Sequence, residues 1–176
     1  MPSRLEDLAF RIGGVRKFLI IKLEVLSHFM KFRQIGPWQR EAGGQLFGTF
    51  ESEVITIRHA TGPYSRDRRS RRRFTPCPIL EKRDIDQFYD RGQHFIGNWH
   101  THPECRPSPS ATDLSNTCQR FAESEHQLLS FTMIIVGRAE FPSGLYVGLI
   151  NSVGHQQLTE VVLVSAVTGE VCTKKS

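Results

Sequence analysis

Residues Trp99 to Asp113 read W-H-T-H-P-E-C-R-P-S-P-S-A-T-D, and no other stretch restricts the fold as much. Successive side chains on an extended backbone alternate faces, so His100 and His102 point the same way only if they lie on a strand. The preceding run, Phe95-Ile96-Gly97-Asn98-Trp99, predicts a buried strand that delivers the pair to its end. Pro103 then ends the ladder and turns the chain. Ser110 and Asp113, three positions apart, stand where the following loop turns into a helix. They form a capping box, in which each side chain satisfies a free backbone N–H. The same turn can instead aim the Asp113 carboxylate at the histidines, with Ser110 facing the site while Asp113 ligates. Two imidazoles and one carboxylate leave the fourth tetrahedral position of a zinc ion free for water.

The rest of the chain supplies a scaffold for such a site. Val15 to Ile21 predicts a strand and Glu24 to Gln34 an amphipathic helix, with Val25, Leu26, Phe29 and Met30 at helical spacing. Gly36-Pro37 breaks that helix. Gly43 to Phe50 and Val54 to Ala60 predict a hairpin around Glu51 to Glu53. A second helix spans Ile79 to Arg91, with Leu80, Ile85, Phe88 and Tyr89 as its inward face, and a third runs from Ala111 to Phe121. Leu129 to Val136, Leu145 to Asn151 and His155 to Ser165 complete the strands, and residues 173–176 form a frayed tail. With no repeat and a length suited to one core, the expectation is a single domain with its core over residues 15–165. Its class is mixed α/β (α+β), a layered sheet with a few helices.

The chain carries a formal net charge of +5, most of it in one place. Arg66, Arg68, Arg69, Arg71, Arg72 and Arg73 crowd a loop over residues 61–73, relieved only by Asp67 and Ser70. Two readings stand side by side: a solvated, self-repelling loop, or a grip for an acidic partner. Cys77, Cys105, Cys118 and Cys172 form no C-x-x-C pair. With no secretory segment in view, reduced thiols and a cytoplasmic setting are expected. The nearest apolar run, Phe18 to Leu26, is short and broken by Lys22 and Glu24, so no membrane span is expected. His28, His59, His94, His126 and His155 are read as ordinary surface or core residues.

Zinc hydrolysis needs a carboxylate to take the proton of the water and hand it to the leaving amine. Among the upstream acids Glu41 is the best placed. It precedes Ala42-Gly43-Gly44-Gln45-Leu46-Phe47-Gly48, a glycine-rich strand start where backbone can approach a neighbour closely.

Taken together, Glu41, His100-x-His102-Pro103 and Ser110-x-x-Asp113 resemble the JAB/MPN family with its JAMM metalloprotease motif. Gly97-x-Trp99 and Pro109 also fit, and the likeness covers the chain from about Val15 to Asn151. The resemblance implies a mixed β-sheet flanked by helices and one Zn²⁺ held by His100, His102 and Asp113. It implies Glu41 as general acid/base and Ser110 as a stabiliser of the tetrahedral oxyanion. It also implies cleavage of peptide or isopeptide bonds after the tail of ubiquitin or a ubiquitin-like protein, a tail suited to strand addition. The arginine density of residues 61–73 departs from the family pattern, and so does Cys105, read as a free loop thiol rather than a fourth ligand. The compact length resembles stand-alone bacterial members, some of which accompany E1- and E2-like enzymes in antiphage operons that attach a nucleotide-signalling enzyme to targets. Two other functions remain open: a nucleic-acid-associated protein gripping through the arginines around a structural metal, and an adaptor that binds modifier tails without cutting them.

Overall fold

The computed structural model describes residues 6–14, 16–162 and 164. Among the described residues eleven strands and three helices follow in the order β1 (Leu8–Ile12), β2 (Lys17–Ile21), α1 (Leu23–Phe32), β3 (Gly43–Glu51), β4 (Val54–Ala60), β5 (Arg68–Arg69) and β6 (Phe74–Thr75). Then come α2 (Pro78–Tyr89), β7 (His94–Thr101), α3 (Ala111–Glu123), β8 (Phe131–Val136), β9 (Leu145–Asn151), β10 (Gly154–Gln157) and β11 (Val161–Val162). Nine strands form one mixed sheet in the order β10-β9-β8-β7-β3-β4-β2-β1-β11. β2 runs parallel to β4 and β7 parallel to β8, and the other neighbours are antiparallel. β5 and β6 pair separately as a small hairpin.

Alternation along β8 shows how the sheet is covered. Ile134 and Val136 join the main core, built with Leu26 and Phe29 of α1 and with Trp99. Met133 and Ile135 face the other way, onto a smaller cluster closed by Leu114 and Cys118 of α3. A period of two thus packs one helix on each face. Trp99 is buried at the centre, its ring against Phe29, His28 and Phe32, and its indole N–H donates to the Thr61 carbonyl (3.0 Å).

Several expectations are corrected. Met30 is exposed, so the buried stripe of α1 is Val25, Leu26 and Phe29. On α2, Ile85 and Tyr89 face solvent, and the one buried residue is Asp84. That carboxylate accepts hydrogen bonds from its neighbour Arg83 and from the Tyr64 hydroxyl, and Phe88 stacks on buried Phe47 (4.2 Å), so α2 docks through one polar and one aromatic contact. The stretch from His155 onward is two strands: β10 pairs with β9, and β11 pairs with β1 at the far end of the sheet order. Only residues 158–160 separate them, about 10–14 Å of extended chain, so the sheet curls until its two edges nearly meet. β1 precedes Val15, and the sheet therefore starts at Leu8. Val15, Ser165 and residues 173–176 lie outside the described residues.

The glycine pair at the start of β3 is required by close approach to backbone. A Cβ on Gly44 would lie 1.8 Å from the Thr61 carbonyl oxygen, and one on Gly43 would meet Phe74 at 2.6 Å and the Trp99 carbonyl at 2.7 Å. Gly44→Ala forces two backbone segments apart and is expected to cost about 3 kcal/mol or more, read as a lowered urea midpoint.

Candidate metal centre

β3 and β7 set the site by their register. Gly43 lies opposite His100, so the residues just before β3 face those just after β7. The Thr101 N–H donates to the Ala42 carbonyl (2.8 Å), and the Ala42 N–H donates to the Thr101 hydroxyl (2.9 Å). Glu41 is thereby carried alongside His102, although the two are far apart in sequence. Thr101, between the two histidines on the strand, points the opposite way and is fully buried. Its hydroxyl donates to Gln34 Oε1 (3.0 Å), and the Gln34 amide donates to the carbonyls of Gln39 (3.1 Å) and Arg71 (2.8 Å).

His100 Nε2 and His102 Nε2 face each other at 3.1 Å. Asp113 straddles the pair, Oδ1 3.5 Å from His100 Nε2 and Oδ2 3.5 Å from His102 Nε2. Ligand atoms around a tetrahedral zinc with bonds of about 2.0–2.1 Å are about 3.3–3.4 Å apart. The donor set therefore fits zinc in both chemistry and spacing. A carboxylate oxygen of Glu41 also lies within 4.8 Å of both imidazoles.

The two interpretations of Ser110 and Asp113 turn out to be compatible. The Ser110 N–H (2.7 Å) and hydroxyl (2.7 Å) both donate to Asp113 Oδ2, and the Ser110 oxygen accepts from the Asp113 N–H (3.1 Å). This complete capping box starts α3. The cap also holds the Asp113 carboxylate against both histidines, so capping leaves it placed where a ligand would stand.

Electrostatics separate the two acids. Burial, opposed in part by His102, pushes the Glu41 carboxyl up to about 7. For Asp113 burial acts upward as well, but hydrogen bonds from His100 and His102 outweigh it and hold the group well below the usual carboxylate range. One carboxyl is thus kept as an anion, and the other is poised to exchange a proton near neutral pH. For His102 burial acts downward, yet Asp113 and then Glu104 outweigh it, and its pKa is raised.

The arginine segment is an ordered wall beside Glu41. The Glu41 N–H donates to the Ser70 carbonyl (2.8 Å). Arg69 Nε donates to the Glu41 carbonyl (2.7 Å), and its terminal nitrogen donates to the Arg40 carbonyl (3.3 Å). Arg69 is therefore half-buried and engaged, whereas Arg66, Arg68, Arg71, Arg72 and Arg73 are exposed. Cys105 is exposed and is absent from the Glu41–His100–His102 cluster. Among the described residues no helix is long and apolar enough to cross a membrane.

Thr101, Gln34 and Glu104 escaped the sequence reading. His102 Nδ1 lies 3.2 Å from Glu104 Oε2, where its N–H donates to the carboxylate. A metal-facing histidine is commonly oriented by such an outer partner. A carboxylate two residues beyond the second histidine was the available signal.

The sequence matches the family described as prokaryotic homologues of the JAB domain over residues 24–145. Among curated proteins, "CD-NTase/cGAS isopeptidase" of Vibrio cholerae is 31% identical over 126 residues, covering 70% of this chain and 78% of that protein. Proteins of the same name from Pseudomonas aeruginosa and Escherichia coli are 30% and 29% identical, covering 80% and 77% of this chain and 87% and 86% of theirs. A solution structure of a protein from Desulfitobacterium hafniense shares the fold, with TM-score 0.56 and 24% identity over 79% of this chain and 87% of that one.

Two outcomes are expected. Glu104→Ala lowers zinc affinity about 10–100-fold in chelator competition, while Glu104→Gln, which keeps an acceptor, loses less. In metal-free protein Glu41 favours its protonated form when folded. Its contribution to stability is complete below pH 4.5 and is lost as pH rises through about 7, a change on the order of 3 kcal/mol. Thermal melts of the metal-free protein from pH 5 to 8 should show that fall, reduced in Glu41→Gln.

Proposed function

The chain belongs to the prokaryotic JAB-domain family, and on that footing we propose that it is a zinc-dependent isopeptidase that releases a conjugated protein from its target. The observation that carries this reading is the pairing of two unlike carboxyls around facing imidazoles. Asp113 is held as an anion 3.5 Å from each histidine, and Glu41 is pushed up to about 7.

His100, His102 and Asp113 would hold the ion, which when bound supplies Lewis acidity and a water that ionises near neutral pH. Glu41 is placed beside the imidazole pair to take up a proton and hand it to the leaving amine, a task for which a carboxyl near 7 is well matched. The backbone bonds from Glu41 to Ser70 and Arg69 fix the carboxylate's position, and burial keeps bulk water from competing for its proton. Ser110 turns its hydroxyl from Asp113 to the oxygen of the attacked carbonyl and stabilises the developing charge. The exposed arginines beside this centre hold the conjugate. The names of the relatives support conjugates of the CD-NTase/cGAS class as substrate. A cytoplasmic antiphage setting with E1/E2-like partners is part of the same proposal and rests on the family resemblance alone. A ubiquitin-like tail is the related substrate class that the family resemblance implies.

The test is a panel of fusions joining CD-NTase or ubiquitin-like tails to a reporter, followed by gel and mass spectrometry. Cleavage is expected to stop with a chelator and return with zinc. Glu41→Gln should retain one zinc per chain by elemental analysis while cleavage drops at least 10³-fold, within the range of a lost proton-transfer group. Cutting at the parental rate by Glu41→Gln, or undiminished by metal removal, would refute the mechanism.

A further inference from the structure

Three residues before Glu41 stands the most exposed aromatic ring of the described residues. Trp38 is 91% exposed and Ile35 64%, both on the segment that links α1 to β3. Single exposed apolar residues are ordinary, but this segment is rigidly held. The Gln39 side chain accepts from the Gly36 N–H (2.7 Å), and the Gln39 N–H reaches back to the Gly36 carbonyl (3.4 Å). The buried Gln34 amide ties the Gln39 carbonyl to that of Arg71. An indole presented on a pinned turn loses little freedom on contact, the condition under which tryptophan becomes a binding anchor.

The surroundings define what it would bind. Because Gln34 bridges Gln39 to Arg71 and Arg69 reaches the Arg40 carbonyl, the turn that carries Trp38 sits beside the β5–β6 hairpin, with the indole itself open to solvent. Arg40, Arg71, Arg72 and Arg73 are exposed there. Asp67, the sole carboxylate of the arginine segment, is used internally, accepting from the Tyr64 and Cys77 N–H groups. That single carboxylate acts on Arg69 and offsets only one of the six arginines, so the segment keeps a large positive excess. The same hairpin pairs with the Glu41 backbone, which makes the patch continuous with the candidate reaction centre.

We propose that Trp38, Ile35 and the exposed arginines of the β5–β6 hairpin form one docking surface for an acidic polypeptide segment of the conjugate, with an apolar side chain seated on the indole. The proposal rests on the isopeptidase reading. It assigns substrate selection to charge and to an aromatic anchor beside the bond to be cut. The acidic residues set the encounter, and the indole sets the residence time.

The experiment uses the full chain in its uncleaving Glu41→Gln form, loaded with zinc. Two fluorescein-labelled dodecapeptides are titrated by anisotropy, one with five glutamates and a central leucine, the other with serines replacing the glutamates. The acidic peptide is expected to bind at least tenfold tighter. Trp38→Ala should weaken it at least tenfold, and Arg71→Ala with Arg73→Ala should weaken it and flatten its salt dependence. The chain has two tryptophans, and Trp99 is buried, so acrylamide quenching reports on Trp38 and should fall on peptide binding. A Trp38→Phe variant, whose remaining indole is Trp99, should show no such change. Equal affinity for both peptides, or affinity indifferent to Trp38→Ala, overturns the proposal. So does shielding of Trp38 that follows protein concentration without peptide, or tighter binding of a single-stranded oligonucleotide. If the peptide binds as expected while wild-type protein cuts no fusion, the surface stands and the isopeptidase reading falls.

Discussion

The antiparallel pairing of β3 with β7 is the constraint on which the site depends. Its register places Gly43 against His100, and the reciprocal bonds between Ala42 and Thr101 carry the order one step beyond the ladder. A slip of one residue would turn the histidines to the other face of the sheet and send Thr101 outward. Glu41 would then lose its place beside the imidazoles. Gly43 and Gly44 permit the pairing because Trp99, Phe74 and Thr61 crowd the positions where side chains would stand. The chemistry is thus set by backbone geometry, and side chains of the second layer fix it.

That second layer is polar and buried. Thr101 and Gln34 join three segments that are remote in the chain: the histidine strand, the turn before Glu41 and the arginine hairpin. Buried amides and hydroxyls cost free energy unless they are satisfied, and these two side chains find partners on all sides. Tyr64 and Asp84 do the same between α2 and the loop that precedes β5. The arginine segment is therefore positioned, not floating, and its charge acts at a defined place.

Much of this could be read from the residues because the relevant signals were short-range. Strand periodicity gave the common face of His100 and His102, and the Ser110–Asp113 spacing gave the cap of α3. The hairpin of β3 and β4 followed from its turn. What escaped depends on contacts between distant segments. Hydrophobic spacing predicts Leu80, Ile85, Phe88 and Tyr89 as the inward face of α2. Phe88 does stack on Phe47 and Leu80 is half-buried, but Ile85 and Tyr89 face solvent, and Asp84 is buried because Tyr64 and Arg83 satisfy its charge. Six clustered arginines read equally well as a solvated loop, since nothing local reveals that Ser70 and Arg69 bond the Glu41 backbone. β1 escaped too, although it pairs with β2 across the local turn at Gly13-Gly14; its second neighbour, β11, is the distant one.

That last pairing has a kinetic consequence. Ala9 meets Val162, and β3 must find β7 across an intervening helix and hairpin before the histidine strand has a neighbour on that side. Such non-local pairings require large loops to close before they are rewarded, which slows folding. A ribosome-bound fragment ending before β11 would expose β1 as an unpaired rim during synthesis. The curl that brings the two margins together therefore gives β11 the task of sealing a surface otherwise open to aggregation.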